Sequence, residues 1–419
     1  MAHRMDIRVG PIVRISPYEL HVSDPAFFDV IFSRKGRWDK YDWTYNALGP
    51  QGATVFTVDH DDHRRRRAPL NPFFSKANVF RKREIIERNV QRLLSRVDHF
   101  AGHGDRVIDI GAGLSAFVRD VTDEFVCGTA GTNLDADDFN TKLSKLIAGS
   151  GVQWRVTKHV WWFGPLLHQL PMPVLKLLLG ENLHIFREFL GNLQKIVHAI
   201  YASEPDPASP TIVHEILASD LPPADKVVSR VGPEIGTITA AGYETTATAL
   251  RHIVYSTFSS PEVLRKVREE MDSAKSKSGV EGELGLAELQ QLPYLTAVLK
   301  EGLRLSPGVA TRMARRTDHD LTYGDWCIPA GTPVGMTTLG LHLDEQSYPH
   351  ATEFIPERWL GDEDGKKPRV YAPFSRGTRN CLGMQYVPDL FVSVKRPILC
   401  FAALISREPQ EDSLSETGR

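Results

Sequence analysis

Cysteine is scarce in this chain of 419 residues: Cys127, Cys327, Cys381 and Cys400 are the four, and no two form a C-x-x-C pair. Such spacing argues against a disulfide framework and against a zinc site, and it suits a reducing compartment. Net charge is also low, −2 from 50 basic and 52 acidic residues. No global field therefore draws the chain to nucleic acid or to anionic lipid. Long apolar runs are missing as well. The most apolar window, residues 160–180, holds Pro165, His168, Pro171, Pro173 and Lys176, so it cannot form the unbroken helix of ~20 residues that crosses a bilayer. Membrane contact is at most peripheral. The opening MAHRMDIRVGPIVRISP carries Arg4, Asp6 and Arg8 without an apolar core, which is not the pattern of a signal peptide.

What is present is enough apolar material, 42% against 24% charged, to bury one large core or two ordinary ones. Near the start, Ile12 to Ile15 alternates apolar and polar, Ser16-Pro17 breaks the run, and Glu19 to Val22 begins another; this predicts a hairpin at the edge of a small sheet. Four successive arginines follow His63, a run that fits a solvated face, a nucleic-acid patch or an anion cradle, with composition favouring the first. Val107 to Gly113, VIDIGAG, looks like the first motif of adenosylmethionine-dependent methyltransferases. The next expected glycine is Ser115, however, and no repeating strand–helix units follow, so a loop between helices is the better reading. Further on, Val228, Val231, Ile235, Ile238, Ala249 and Ile253 recur at helical spacing and predict one long helix. Pro233 should kink that helix or delay its start. Pro293 suits the first position of a later helix.

The stretch with most chemistry is Phe374 to Gly383, FSRGTRNCLG. Thiolate is the ligand form of cysteine, and the neighbouring cations Arg376 and Arg379 favour it, as would a helix N-terminus behind it. Gly377 and Gly383 let backbone approach a flat bulky group. The pattern F-x-x-G-x-R-x-C-x-G resembles the haem-ligand loop of the cytochrome P450 monooxygenases. Ala241 to Thr246, AGYETT, matches that family's oxygen-side helix motif, and Glu301 with Arg304 followed by Pro356-Glu357-Arg358-Trp359 matches its E-x-x-R and P-E-R-W signatures. The resemblance implies that Cys381 binds the iron and that Phe374, Gly383 and Arg379 belong to the cofactor loop. His63 and Arg67, at i and i+4 on one helix face, would meet the haem propionates, and Arg312 would be a further propionate contact. Gly242 would clear room for oxygen or substrate, while Thr245 and Glu244 would relay protons. Glu301, Arg304 and Arg358 would form a buried network behind the cysteine loop.

The resemblance extends over roughly residues 10–386 and is similar to filamentous-fungal monooxygenases of secondary metabolism in GPIVRISPYELHVSD and LHLDEQSYPHATEFIPERW. It implies a mainly α fold with a small β-rich lobe, a P450-like domain over residues 1–403 and a polar tail at 404–419. It implies heme b, O2, a small apolar substrate to be hydroxylated or epoxidised, and a separate NADPH-dependent reductase. It also implies an intracellular site, cytoplasmic or peripheral on the endoplasmic reticulum. Two departures from the pattern bear on activity: the chain begins near the first sheet, without the membrane anchor and first helix of microsomal members, and Pro388 and Pro397 interrupt the helix expected after Cys381. A haem-binding relative without turnover is the alternative they raise.

Overall fold

The computed structural model describes residues 10–46, 52–101, 108–157, 159–160, 162–163, 166, 169–206, 209–278, 284–361, 370–388 and 390–391. The helices used below are α1 (His60–Arg67), α2 (Arg83–Ala101), α3 (Ile110–Cys127), α4 (Thr141–Thr157), α5 (Glu181–Ala202), α6 (Val228–Phe258), α7 (Pro261–Ser278) and α8 (Pro293–Leu305). The strands are β1 (Ile12–Arg14), β2 (Leu20–Val22), β3 (Trp38–Lys40), β4 (Met313–Thr317), β5 (Leu321–Tyr323), β6 (Trp326–Ile328) and β7 (Val334–Met336).

The 31-residue helix α6 is the axis of the helical part, because its apolar stripe is buried from end to end: Val231, Ile235, Leu250 and Ile253 are all inaccessible to solvent. It packs along α3 and is flanked by α5, α7 and α8. Pro233 neither delays nor replaces its start, since the helix begins at Val228. The proline removes a single hydrogen bond, that to the Ser229 carbonyl, and burial of the surrounding stripe outweighs that loss. In VIDIGAG, whose Val107 lies outside the described residues, only the part from Ile110 onward departs from the expected loop: Asp109 caps the N-terminus of α3, its Oδ1 accepting the Ala112 amide at 2.9 Å, and both glycines lie inside the helix.

After the cysteine loop the chain is helical at residues 386–388 and 390–391, and Tyr386, Val387, Leu390 and Phe391 join the main core. Pro388 is itself helical and lies in the first turn, where the missing N–H has no intrahelical partner. Pro397 and the tail at 404–419 lie outside the described residues.

The β part is a five-stranded sheet in the order β1-β2-β7-β4-β3, with a separate β5–β6 hairpin. The expected opening hairpin is present, Ile12 opposite Val22 and Arg14 opposite Leu20. Turns fall at Gly324 and Gly331, both with positive φ. A second core of Val22, Phe28, Trp38, Val334 and Met336 supports this lobe. In the β3–β4 pair Lys40 stands directly opposite Arg315, a pairing of like charges that is unfavourable in isolation.

Candidate active site

The cysteine loop is closed by a backbone bond from the Cys381 amide to the Phe374 carbonyl, 2.9 Å. Phe374 packs against the main core. Gly377 is required by both conformation and space: its φ is +77°, and a Cβ there would lie 2.5 Å from the Phe32 carbonyl oxygen. Cys381 lies on the wall of a cavity of about 680 Å3 that His63, Arg67, Phe74, Asn380 and Gln385 also line. The residue is accessible from that cavity but densely enclosed on its other sides. The enclosure pushes the thiol pKa up, while the Gly383 amide, donating to Sγ, and the charge of Arg67 pull it down. Arg67 also ties α1 to the loop, donating to the Asn380 carbonyl at 2.6 Å and to Asn380 Oδ1 at 3.0 Å.

Behind the loop stands a closed charge network. Glu301 and Arg304, both fully buried, pair at 2.7 and 2.9 Å, and Glu301 also accepts from Arg358 Nε, Trp359 Nε1 and the Ile355 amide at 2.9 to 3.1 Å. The remaining donors of Arg304 reach the carbonyls of His342, Ala351 and Glu353. His342 carries the connection onward. Its Nδ1 donates to the Arg304 carbonyl at 3.0 Å and its Nε2 accepts the Ala372 amide at 3.0 Å. The Ala372 carbonyl in turn receives Ser375 N at 3.0 Å. Burial holds the imidazole neutral, with a pKa lowered to about 4.

In front of the loop the charges do not close. Lys40, Arg315, Arg379 and His63 are 3 to 9% exposed, and among the described residues no carboxylate bonds to Lys40, Arg67, Arg315 or Arg379. Instead Lys40 Nζ donates to the Val55 carbonyl, and Arg379 donates to the carbonyls of Thr57, Val58 and Asp59 at 2.6 to 3.0 Å. The Arg379 Nε is buried without a partner. Burial, then the mutual repulsion of these cations, pushes Lys40 well down, Arg379 down to about 9 and His63 down to about 2. His63 and Arg67 do share one face of α1, as their spacing predicts. Lys40 and Arg315 were not foreseen. The one available signal was strand periodicity, which sets Lys40 on the same face as buried Trp38.

Arg312 makes a bidentate pair with buried Glu19, at 2.7 and 3.1 Å. On α6, Thr245 Oγ1 donates to the Ala241 carbonyl at 2.8 Å, and its side chain abuts Gly308, where a Cβ would come within 2.9 Å of it. The expectation for Gly242 needs correction: a Cβ there would meet Thr122 of α3 at 3.0 Å. This glycine serves close helix packing, because its position on the helix faces α3. Glu244 is bound by Arg251 and Thr248 on its own helix.

The sequence model of cytochrome P450 matches residues 7–386. The chain belongs to the cytochrome P450 family. It is 36% identical over 386 residues to the cytochrome P450 monooxygenase tpcC of Cochliobolus heterostrophus, covering 90% of this chain and 73% of that protein. It is 34% identical over 389 residues to the N-acetyltryptophan 6-hydroxylase ivoC of Emericella nidulans, covering 91% and 76%, and 34% identical over 393 residues to a fusicoccadiene C-8 hydroxylase of Alternaria brassicicola, covering 90% and 74%. Among solved structures, a crystal structure of the cytochrome P450 CYP102L1 superimposes with a TM-score of 0.75 at 20% identity, covering 95% of this chain and 86% of that one. The fold is therefore that of the P450s, mainly α with a small β-rich lobe, and the protein is a haem-thiolate monooxygenase that uses O2 and electrons from a redox partner. Among the described residues no helix is long and apolar enough to cross a membrane.

The residues present fit haem. A buried group of cations with no bonded carboxylate, one guanidinium nitrogen of it orphaned, matches the propionates, and a thiol on the wall of the adjoining cavity matches the iron.

Proposed function

We propose that Cys381 is the iron ligand of this P450 and that Arg67, Arg379, His63, Lys40 and Arg315 hold the haem propionates. The observation that carries this is a cavity whose wall holds the Cys381 thiol, bonded by the Gly383 amide, together with His63 and Arg67, next to the buried cations Lys40, Arg315 and Arg379 whose charges act on His63 and on one another. Bound haem supplies the redox-active iron at which O2 is reduced and cleaved, a chemistry favoured by an electron-rich thiolate. The chain's own part is to offset the burial of Cys381 in favour of the thiolate, through the Gly383 amide and Arg67, and to neutralise the propionates. Thr245 presents its hydroxyl in the groove of α6 and Glu244 holds the proton to be passed.

The substrate class supported is a small, largely apolar metabolite, hydroxylated or epoxidised. The support is the set of fungal relatives whose names give hydroxylation of N-acetyltryptophan and fusicoccadiene. Electrons come from a separate NADPH-dependent reductase, with the protein at the endoplasmic reticulum.

The test is spectroscopic. The reduced carbon monoxide complex of the wild-type protein should show the far-red-shifted Soret band of thiolate ligation, and Cys381→Ser should lack it; an unchanged band in the variant sinks the assignment. Thr245→Ala should retain the band but send a larger share of consumed O2 to hydrogen peroxide, and unchanged partition would remove Thr245 from the relay.

A further inference from the structure

We infer that Arg251 is the positioning residue for Glu244, and that Gly111 near the start of α3 serves to seat it. The Glu244 carboxylate accepts from Arg251 Nη2 at 2.5 Å and from Thr248 Oγ1 at 3.0 Å through the same oxygen, Oε1. Arg251 stands seven residues further along α6, roughly 10 Å up the axis and at almost the same azimuth. Helical side chains lean toward the N-terminus, so a long arginine can reach back over Thr248 to the glutamate, and Thr248 Oγ1 accepts from it at 2.9 Å on the way. The other terminal nitrogen is braced from α3: Arg251 Nη1 donates to Ser115 Oγ at 3.3 Å, and Ser115 Oγ donates to the Gly111 carbonyl at 2.8 Å.

Gly111 explains itself in this setting. A Cβ at that position would lie 3.3 Å from Arg251 Cδ and 3.7 Å from Cγ, so the bare backbone provides the surface on which the arginine stem rests. Through Gly111, and with Ser115 two residues beyond its end, the motif VIDIGAG thus acquires a part in the acid–threonine machinery. The magnitude of the ion pair indicates which part. The two side chains are 35% and 23% exposed, and a pair that open to solvent contributes only about 0–1 kcal/mol to stability. Its consequence is direction. Thr245 faces Gly308, whereas the adjacent Glu244 is held on the face of α6 that meets α3 and solvent, where it takes up protons for the helix groove.

This inference rests on the reading of Glu244 as the proton-holding acid, and the experiment separates the two. In NADPH-driven turnover of the holoenzyme with its reductase and no added substrate, O2 leaves either as peroxide, with two electrons and two protons, or as water, with four of each. Deficient proton supply favours peroxide. Glu244→Gln and Arg251→Gln should each lower the water-to-peroxide ratio roughly tenfold, a partial loss beside what removal of an essential proton donor costs. Arg251→Lys should recover most of the ratio, and the double variant should behave as Glu244→Gln alone, since coupled residues do not add. The carbon monoxide spectrum and melting temperature should stay those of the wild type. If Glu244→Gln partitions O2 as the wild type does, the acid reading falls and the inference with it. If only Glu244→Gln shifts the ratio, Arg251 has no positioning role and the inference alone is overturned. Additive effects, or a lowered melting temperature in Arg251→Gln, would assign the arginine to the fold and overturn it as well.

Discussion

Two buried charge clusters flank the cysteine loop and are built on opposite principles. Behind it, Glu301 is surrounded by Arg304, Arg358, Trp359 and the Ile355 amide, and every donor of Arg304 has an acceptor. In front of it, Lys40 and Arg315 face each other across two strands, beside Arg379 and Arg67, with backbone carbonyls, amide oxygens and the Tyr45 hydroxyl for partners. A closed network is stable by itself and can serve as scaffold. An open one keeps repulsion that a bound anion would relieve, and that is the ground on which it is proposed as the propionate site. The difference tells scaffold from site without reference to any motif.

The largest break in that comparison comes from the closed side. Glu301→Gln leaves Arg304 and Arg358 buried without their countercharge, and the expected loss is about 3–5 kcal/mol. The variant should be recovered without haem or not folded at all, by carbon monoxide spectrum and circular dichroism. A haem-loaded, normally stable Glu301→Gln protein would remove the scaffold role.

Protonation probes the same network. His342 is held neutral by burial, stacked on Tyr371 and fixed between the Arg304 carbonyl and the Ala372 amide, with Arg304 and Glu301 as the nearby charges. Its pKa is 6.5 in the unfolded reference and about 4 in the fold. As pH falls through that window the unfolded chain takes up a proton that the folded chain refuses. Stability is therefore fully present above the window and lost toward its lower end, by roughly 3 kcal/mol from this residue. Urea midpoints from neutral pH to pH 4 should fall accordingly, and the slope should flatten in His342→Gln.

A third effect is steric. A Cβ on Gly302 would lie 2.1 Å from Ile253 Cγ1 of α6, so Gly302→Ala should push α8 off its seat and cost about 1–3 kcal/mol, read by chemical denaturation.

The smallest effect distinguishes the clusters most sharply. Lys40→Met should raise the melting temperature of the haem-free protein, relieving about 1 kcal/mol of buried, unpaired charge, and yet speed haem transfer to apomyoglobin. A decrease in both would place Lys40 with the scaffold.

Much of the site was legible because its motifs are short strings with local backbone demands. FSRGTRNCLG contains the residues that close its own loop, and E-x-x-R brings Glu301 and Arg304 together within one turn. The opening hairpin and the first position of α8 were equally local. Pro233 and Pro388 misled, because a proline rule states the loss of one hydrogen bond but not how little that loss matters near a helix start. Gly242 misled for another reason: a glycine is blank on both sides, and its purpose depends on which neighbour approaches.

What the amino-acid order determined by itself was the class of protein and its chemistry: a thiolate loop, an acid–threonine helix and a buried glutamate–arginine pair, each specified within ten residues. Only the tertiary structure decided the directions. The β3–β4 register set Lys40 against Arg315 and left Arg312 to Glu19. The approach of α3 turned Gly242 into a packing contact and gave Arg251 its hold on Glu244. Strand register and helix azimuth belong to pairs of elements distant in sequence, so no single stretch of this chain contains them.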